Sequence, residues 1–202
     1  MPNSNLSQLI QTLTQQSLSN SPYEIAANSL HAYYHKHLHN SQFLSDKVNE
    51  LMDTPAESIE GRANLLQNAL LLDNLQQKLH QDDFTYASPS PNESLVLHEL
   101  SLDIPIAALL TTTSESARKK NGALLIHLSE EALSDKTADL LTILLKLQLQ
   151  ANGIENVNPK FCIVWDVLQD TFHHAPSSHK RLSKQLEAAC TELAGGQKKI
   201  DD

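Results

Sequence analysis

The chain has 202 residues, of which 40% are hydrophobic and 4% aromatic, and its 24 acidic residues against 15 basic ones give a formal charge of −9. That is enough apolar material for a real core, and the acidic balance argues against a generic nucleic-acid coat or an anionic-membrane binder while leaving room for a local basic patch. The few aromatic rings disfavour base- or sugar-stacking platforms, and the 5 glycines leave almost nothing for phosphate-cradling loops.

Taken in chain order, Leu6, Leu9, Ile10 and Leu13 are spaced i, i+3, i+4, i+7 and predict a first amphipathic helix. Ser21, Pro22 and Glu24 form a capping box, a serine followed by proline at the first helical position and by glutamate three residues on, and predict a second helix running past Leu30. A short helical piece over 48–52 follows. The same capping grammar at Thr54, Pro55 and Glu57 opens a long helix with Leu65, Ala69, Leu72, Leu75 and Leu79 on one side. The stretch 82–92 holds Pro89 and Pro91 among serines and reads as a linker.

Beyond it the pattern changes. Residues 94–102 are strand-like, Asp103 caps a helix entered at Pro105 and stopped by Asn121 and Gly122, and 123–128 is an apolar run of strand length. Residues 135–151 are apolar nearly all round, predicting a buried helix closed by Asn152 and Gly153. A strand over 161–168 turns at Gln169 and Asp170 into a second over 171–174. A final helix buries Leu182, Leu186, Ala189, Cys190 and Leu193 and stops at Gly195 and Gly196. The expected fold is α+β or small α/β: a helical unit over 1–81, the linker 82–92, a β-α-β-α-β-β-α unit over 93–196 with a small, mainly parallel sheet, and a charged tail over 197–202.

The start of the chain, 1–5, is polar and lacks a secretory pattern, and the most apolar stretch, 140–149, carries Lys146 and Gln148 and is too short to span a bilayer. A cytoplasmic, non-membrane protein is expected. Cys162 and Cys190 sit in apolar patterns and read as inert buried thiols. The phosphate-loop, dinucleotide, zinc-protease, paired-cysteine and nucleophile-elbow motifs are all absent from the sequence.

Three sets of residues could carry chemistry. His31 and His35 are one helical turn apart, the spacing of metal ligands, although a solvated helix end rich in histidine explains them as well. Asp103, His127 and Asp166 fall at the carboxyl ends of the expected strands, where open α/β sheets bind ligands. Two carboxylates and an imidazole there suit a metal or acid–base catalysis, while helix capping and a turn suit them equally. Arg118, Lys119 and Lys120 form one basic run and Lys180, Arg181 and Lys184 another, the second at a helix start where an anion would be welcome. The leading expectation is a non-catalytic binding or accessory protein acting within a larger protein assembly, its helical unit making the protein contacts. A small metal-dependent hydrolase or nuclease and a nucleic-acid-associated factor stand as alternatives. No cofactor is indicated by the sequence, and the oligomeric state is not legible in it.

Overall fold

The computed structural model of the chain describes residues 22–38, 40, 42–79, 84–89, 95–97, 100–102, 104–112 and 119–197, with the backbone alone at 100 and 192–197. Along it run α1 (Glu24–Lys36), α2 (Phe43–Asp53), α3 (Ile59–Leu75) with a 3-10 turn (Gln76–Lys78), and the strands β1 (Phe84–Ala87), β2 (Leu95–Leu97), β3 (Leu100–Leu102) and β4 (Ile106–Thr112). Then follow β5 (Asn121–His127), α4 (Asp135–Ala151), β6 (Val157–Asp166), β7 (Thr171–His174) and α5 (His179–Gln197). The helix expected over 6–13 lies outside the described residues.

Five strands form one sheet in the order β1-β4-β5-β6-β7, and β2 pairs with β3 in a separate hairpin. β5 and β6 are parallel, joined through α4, and the other neighbours are antiparallel. The fold is α+β with a mixed sheet, so the expectation of a mainly parallel one is corrected. The reason lies in residues 106–112, which sequence patterning assigned to a helix and which form β4. Their run of Ile, Ala and Leu has no polar face to declare a period, and a strand buried on both sides reads as such a run. With that helix gone, one crossover connection remains, and a parallel pair needs one.

Side chains alternate across the sheet. Ala123, Leu125, Cys162 and Val164 face α4, α5 and the β2–β3 hairpin, while Leu124, Ile126, Ile163 and Trp165 face the layer of α1, α2 and α3. The molecule is thus a three-layer stack in which the helical layer shares its core with the sheet. Part of the proline-bearing stretch 82–92 enters this stack, because Phe84–Ala87 pairs with β4 in antiparallel register. α4 is covered on most sides, burying Leu140, Leu141, Ile143, Leu144, Leu145 and Leu149, as apolar residues nearly all round the helix predict.

Of the two predicted caps, Thr54 is displaced and Ser21 lies outside the described residues. α3 begins at Ser58, whose hydroxyl accepts from Gly61 N at 2.9 Å, rather than at Thr54. α1 has no side-chain cap of its own; instead the fully buried Asn68 of α3 accepts from Ala26 N at 2.8 Å and donates to the Pro22 carbonyl at 2.7 Å. α5 continues through Gly195 and Gly196 to Gln197, past the expected stop. Among the described residues no helix is long and apolar enough to cross a membrane.

Candidate functional site

At the carboxyl ends of the parallel strands, His127 and Asp166 stand opposite one another in register and, by alternation, on the face covered by α4. Asp166 is 1% exposed. Its Oδ2 accepts from Leu133 N at 2.9 Å, and its Oδ1 is buried with no hydrogen-bond partner among the described residues. The carboxylate therefore sits just ahead of the α4 N-cap, Ser134, where the unsatisfied N–H groups and the helix dipole favour a negative charge. His127 Nε2 lies 3.4 Å from the Glu131 carbonyl, so both residues hold the connection between β5 and α4. Asp103 lies outside the described residues. Among those described, no group of three or more His, Cys, Asp or Glu side chains is placed to hold a metal ion. On α4 nearby, burial and then the neighbouring Asp135 push the Asp139 carboxyl above the usual carboxylate range, with His173 of β7 acting in the opposite sense.

His31 and His35 do come together on α1, their ring centroids 6.0 Å apart and tilted. His35 Nε2 is 3.2 Å from the Ile106 carbonyl at the start of β4, so one of the pair is already engaged with backbone. His31 borders a small enclosed cavity of about 50 Å³ with Glu24, Asn28, Pro105, Ile126 and Leu128. Burial, and after it the charge of His35, hold its pKa below the ordinary 6.5. The remaining histidines of the cluster divide: His37 stacks on Phe43 at 4.0 Å, and His39 lies outside the described residues.

The two thiols are free and buried. Burial pushes Cys162 up to about 12, against a backbone hydrogen bond from Ala123 and the charge of Lys146, and raises Cys190 as well. Neither is poised as a nucleophile at neutral pH, since the reactive form is the thiolate.

The basic residues are exposed on two segments. Lys119 and Lys120 lead into β5; Arg118 lies outside the described residues; Lys180, Arg181 and Lys184 occupy the first turns of α5. Asn121 ties the first segment to the α4–β6 connection, donating from Nδ2 to the Glu155 carbonyl at 2.7 Å and from its backbone N to the Asn156 carbonyl at 3.1 Å.

A further feature escaped the sequence reading. α3 is apolar on two sides. Ala69, Leu72 and Leu75 point inward, while Ile59 and Leu70 are 91% and 60% exposed, and with Ala63 and the half-buried Leu66 they make an outer stripe at i, i+4, i+7, i+11. Met52 at the end of α2 is 42% exposed, and Arg62 of α3 donates to the Met52 and Thr54 carbonyls, so the end of α2 adjoins the start of α3. An open groove of about 520 Å³ lies on the other side of α3, along Ile25, Ala56, Gly61 and Leu65, and none of the stripe residues lines it. The signal was present as spare leucines and an isoleucine beyond those the inner face needs.

The chain matches no protein-family model, no curated protein and no solved structure.

Proposed function

We propose that this is a non-catalytic binding or accessory protein of the cytoplasm that works within a larger protein assembly, with the outer face of α3 as its contact. The observation that carries the reading is the outward stripe Ile59, Ala63, Leu66, Leu70 on a helix already buried on its other side. Single exposed leucines are ordinary, but four small or large apolar residues in helical register along one outer side of a helix suit the apolar face of a partner's amphipathic helix. Covering a large aliphatic side chain contributes about 1.5–3 kcal/mol, so Ile59 and Leu70 would act as anchors. Two buried, unpaired thiols fit a reducing compartment.

The test is the double variant Ile59→Lys with Leu70→Lys. Both positions are exposed, so Tm should move little, the equivalent of under about 0.5 kcal/mol. In gently lysed cells the native chain should elute well above its own 22.4 kDa and the variant near it. Identical elution of the two would refute the assignment of this face.

One observation favours a second reading, a metal-dependent hydrolase or nuclease built on Asp103, His127 and Asp166: the buried, unpartnered Oδ1 of Asp166 shares a sheet face with His127. A cation that binds there would raise the Tm of the wild-type chain and not that of Asp166→Asn. Equal responses to manganese in the two proteins exclude it.

A further inference from the structure

At the end of the sheet where β5 and β6 begin, cations from distant segments gather. Asn121 of β5 pairs with Val157, but the next pair is Ala123 with Cys162, so residues 158–161 bulge out of the ladder opposite Gly122. Pro159, which has no N–H to offer the ladder, suits that bulge, and Asn158 closes it by accepting from Lys160 N at 3.1 Å. The bulge, Asn156 and the pair Lys119 and Lys120 enclose an open cavity of about 370 Å³. β7 runs antiparallel to β6, towards this same end, and His174 Nδ1 reaches the Lys160 carbonyl at 3.0 Å. The chain then turns at Pro176 and enters α5, whose first turns carry Lys180, Arg181 and Lys184. Topology thus brings Lys119 and Lys120, the run at the start of α5 and Lys160 to one end of an acidic molecule.

We propose that this end binds the sugar–phosphate backbone of a nucleic-acid duplex without reading its sequence. All six cations are exposed, and none takes part in the ion pairs found among the described residues, Lys47 with Glu50 and Lys78 with Asp170. Among the described residues, the acids nearest the two runs are Glu155, beside Asn156, and Glu187, one turn beyond Lys184 on the same side of α5. Cations in the first turn of a helix oppose its dipole, and although the His179, Arg181 and Leu182 N–H groups already bond the Pro176 and Ser178 carbonyls, a phosphate at that point would offset the dipole and pair with the side chains. The amides of Asn156 and Asn158 add neutral donors of the kind that position phosphates. A duplex is favoured over single strands because the one Phe, Tyr or Trp within 119–120, 156–161 and 175–184 is Phe161, whose ring is already packed edge-on against Phe84 at 5.1 Å, so no row of rings is offered for bases to stack on. An anionic membrane is disfavoured because, among the described residues, the exposed large apolar ones, Met52, Ile59, Leu70 and Val96, lie in other segments. The net charge of −9 does not prevent binding, since repulsion from acids beyond a Debye length of about 8 Å is largely screened.

The experiment is fluorescence anisotropy with the full chain and a labelled duplex of about 30 base pairs, from about 50 to 200 mM salt, beside vesicles rich in phosphatidylserine. With about four phosphates neutralised, affinity should fall roughly a hundredfold over that range. The triple variant Lys180→Ala, Arg181→Ala, Lys184→Ala should bind at least about tenfold more weakly and with a shallower salt slope, and the double variant Lys119→Ala, Lys120→Ala should do the same. Both should melt as the wild type does, which separates a lost contact from a lost fold. No duplex binding at the lowest salt, undiminished binding by both variants, or preference for the vesicles over the duplex would each overturn the proposal.

Discussion

Single polar residues in the interior do much of the positioning here. Asn68 is fully buried, yet its oxygen supplies the cap that α1 lacks and its amide holds the Pro22 and Asn64 carbonyls. Asn68→Leu strands the Ala26 N–H and the Pro22 carbonyl away from water, and each such group costs about 1–3 kcal/mol. We expect a loss of several degrees in Tm, larger than for any single change at the exposed helix surface. His31 gives a pH signature. Its folded pKa lies below 6.5, so the unfolded chain takes up a proton that the folded chain resists. Its contribution is complete above the unfolded value and is lost as pH falls below 6.5. Wild-type Tm should therefore drop further between neutral and mildly acidic pH than that of His31→Phe, and parallel curves would show that His31 is not the titrating group. Asp166 reads differently again: Asp166→Ala frees the Leu133 N–H and should destabilise by about 1–3 kcal/mol with no metal involved.

At the scale of elements, patterning recovers those whose period is plain and misses those whose period is hidden. α4 is legible because its apolar residues, spread nearly all round the helix over seventeen residues, cover a stretch too long for an ordinary strand. The β6–β7 hairpin is legible from β-branched and aromatic residues broken at Asp170, which takes the left-handed conformation at φ 52°. β4 is not legible, since Ile106–Leu110 satisfies helix and strand alike, and what decides it is the company of β1 and β5 on either side. The predicted cap at Thr54 gave way to Ser58 because the Thr54 hydroxyl turns back to the Glu50 carbonyl and ends α2 instead. Of the candidate site, sequence alone could place His127 and Asp166 at strand ends and Lys180 at a helix start. It could not place Lys119 beside Asn156, because the β6 bulge that joins them is a matter of register. Gly122 makes that bulge possible. A Cβ there would lie 2.0 Å from the Phe161 carbonyl oxygen, inside any allowed contact. Gly122→Ala should force the two strands apart, with a cost of about 1–3 kcal/mol seen as a lower urea midpoint at unchanged slope. A midpoint equal to wild type would contradict the register described here.

For the whole molecule, charge is unevenly spread among the described residues. Glu130, Glu131, Asp135, Asp139 and Asp166, with Lys136 among them, surround the start of α4 at one end of the sheet, and Lys119, Lys120, Lys160, Lys180 and Arg181, with Glu155, lie at the other. The apolar stripe of α3 lies on the outside of the helical layer, whose inner side is spent on the sheet. On the reading proposed above, the two surfaces of this three-layer body would serve different partners, a protein helix on one and a polyanion on the other. The central claim is that α3 carries a partner. It is tested most directly by a photo-crosslinking residue placed at Ala63 in the living cell, with Glu187 on α5 as the control position, both being exposed in the free chain. The account predicts one dominant protein adduct from Ala63, absent from Glu187 and abolished when Ile59 and Leu70 are changed to lysine. An equal, diffuse pattern from both positions, or an adduct that survives the two lysines, would contradict it.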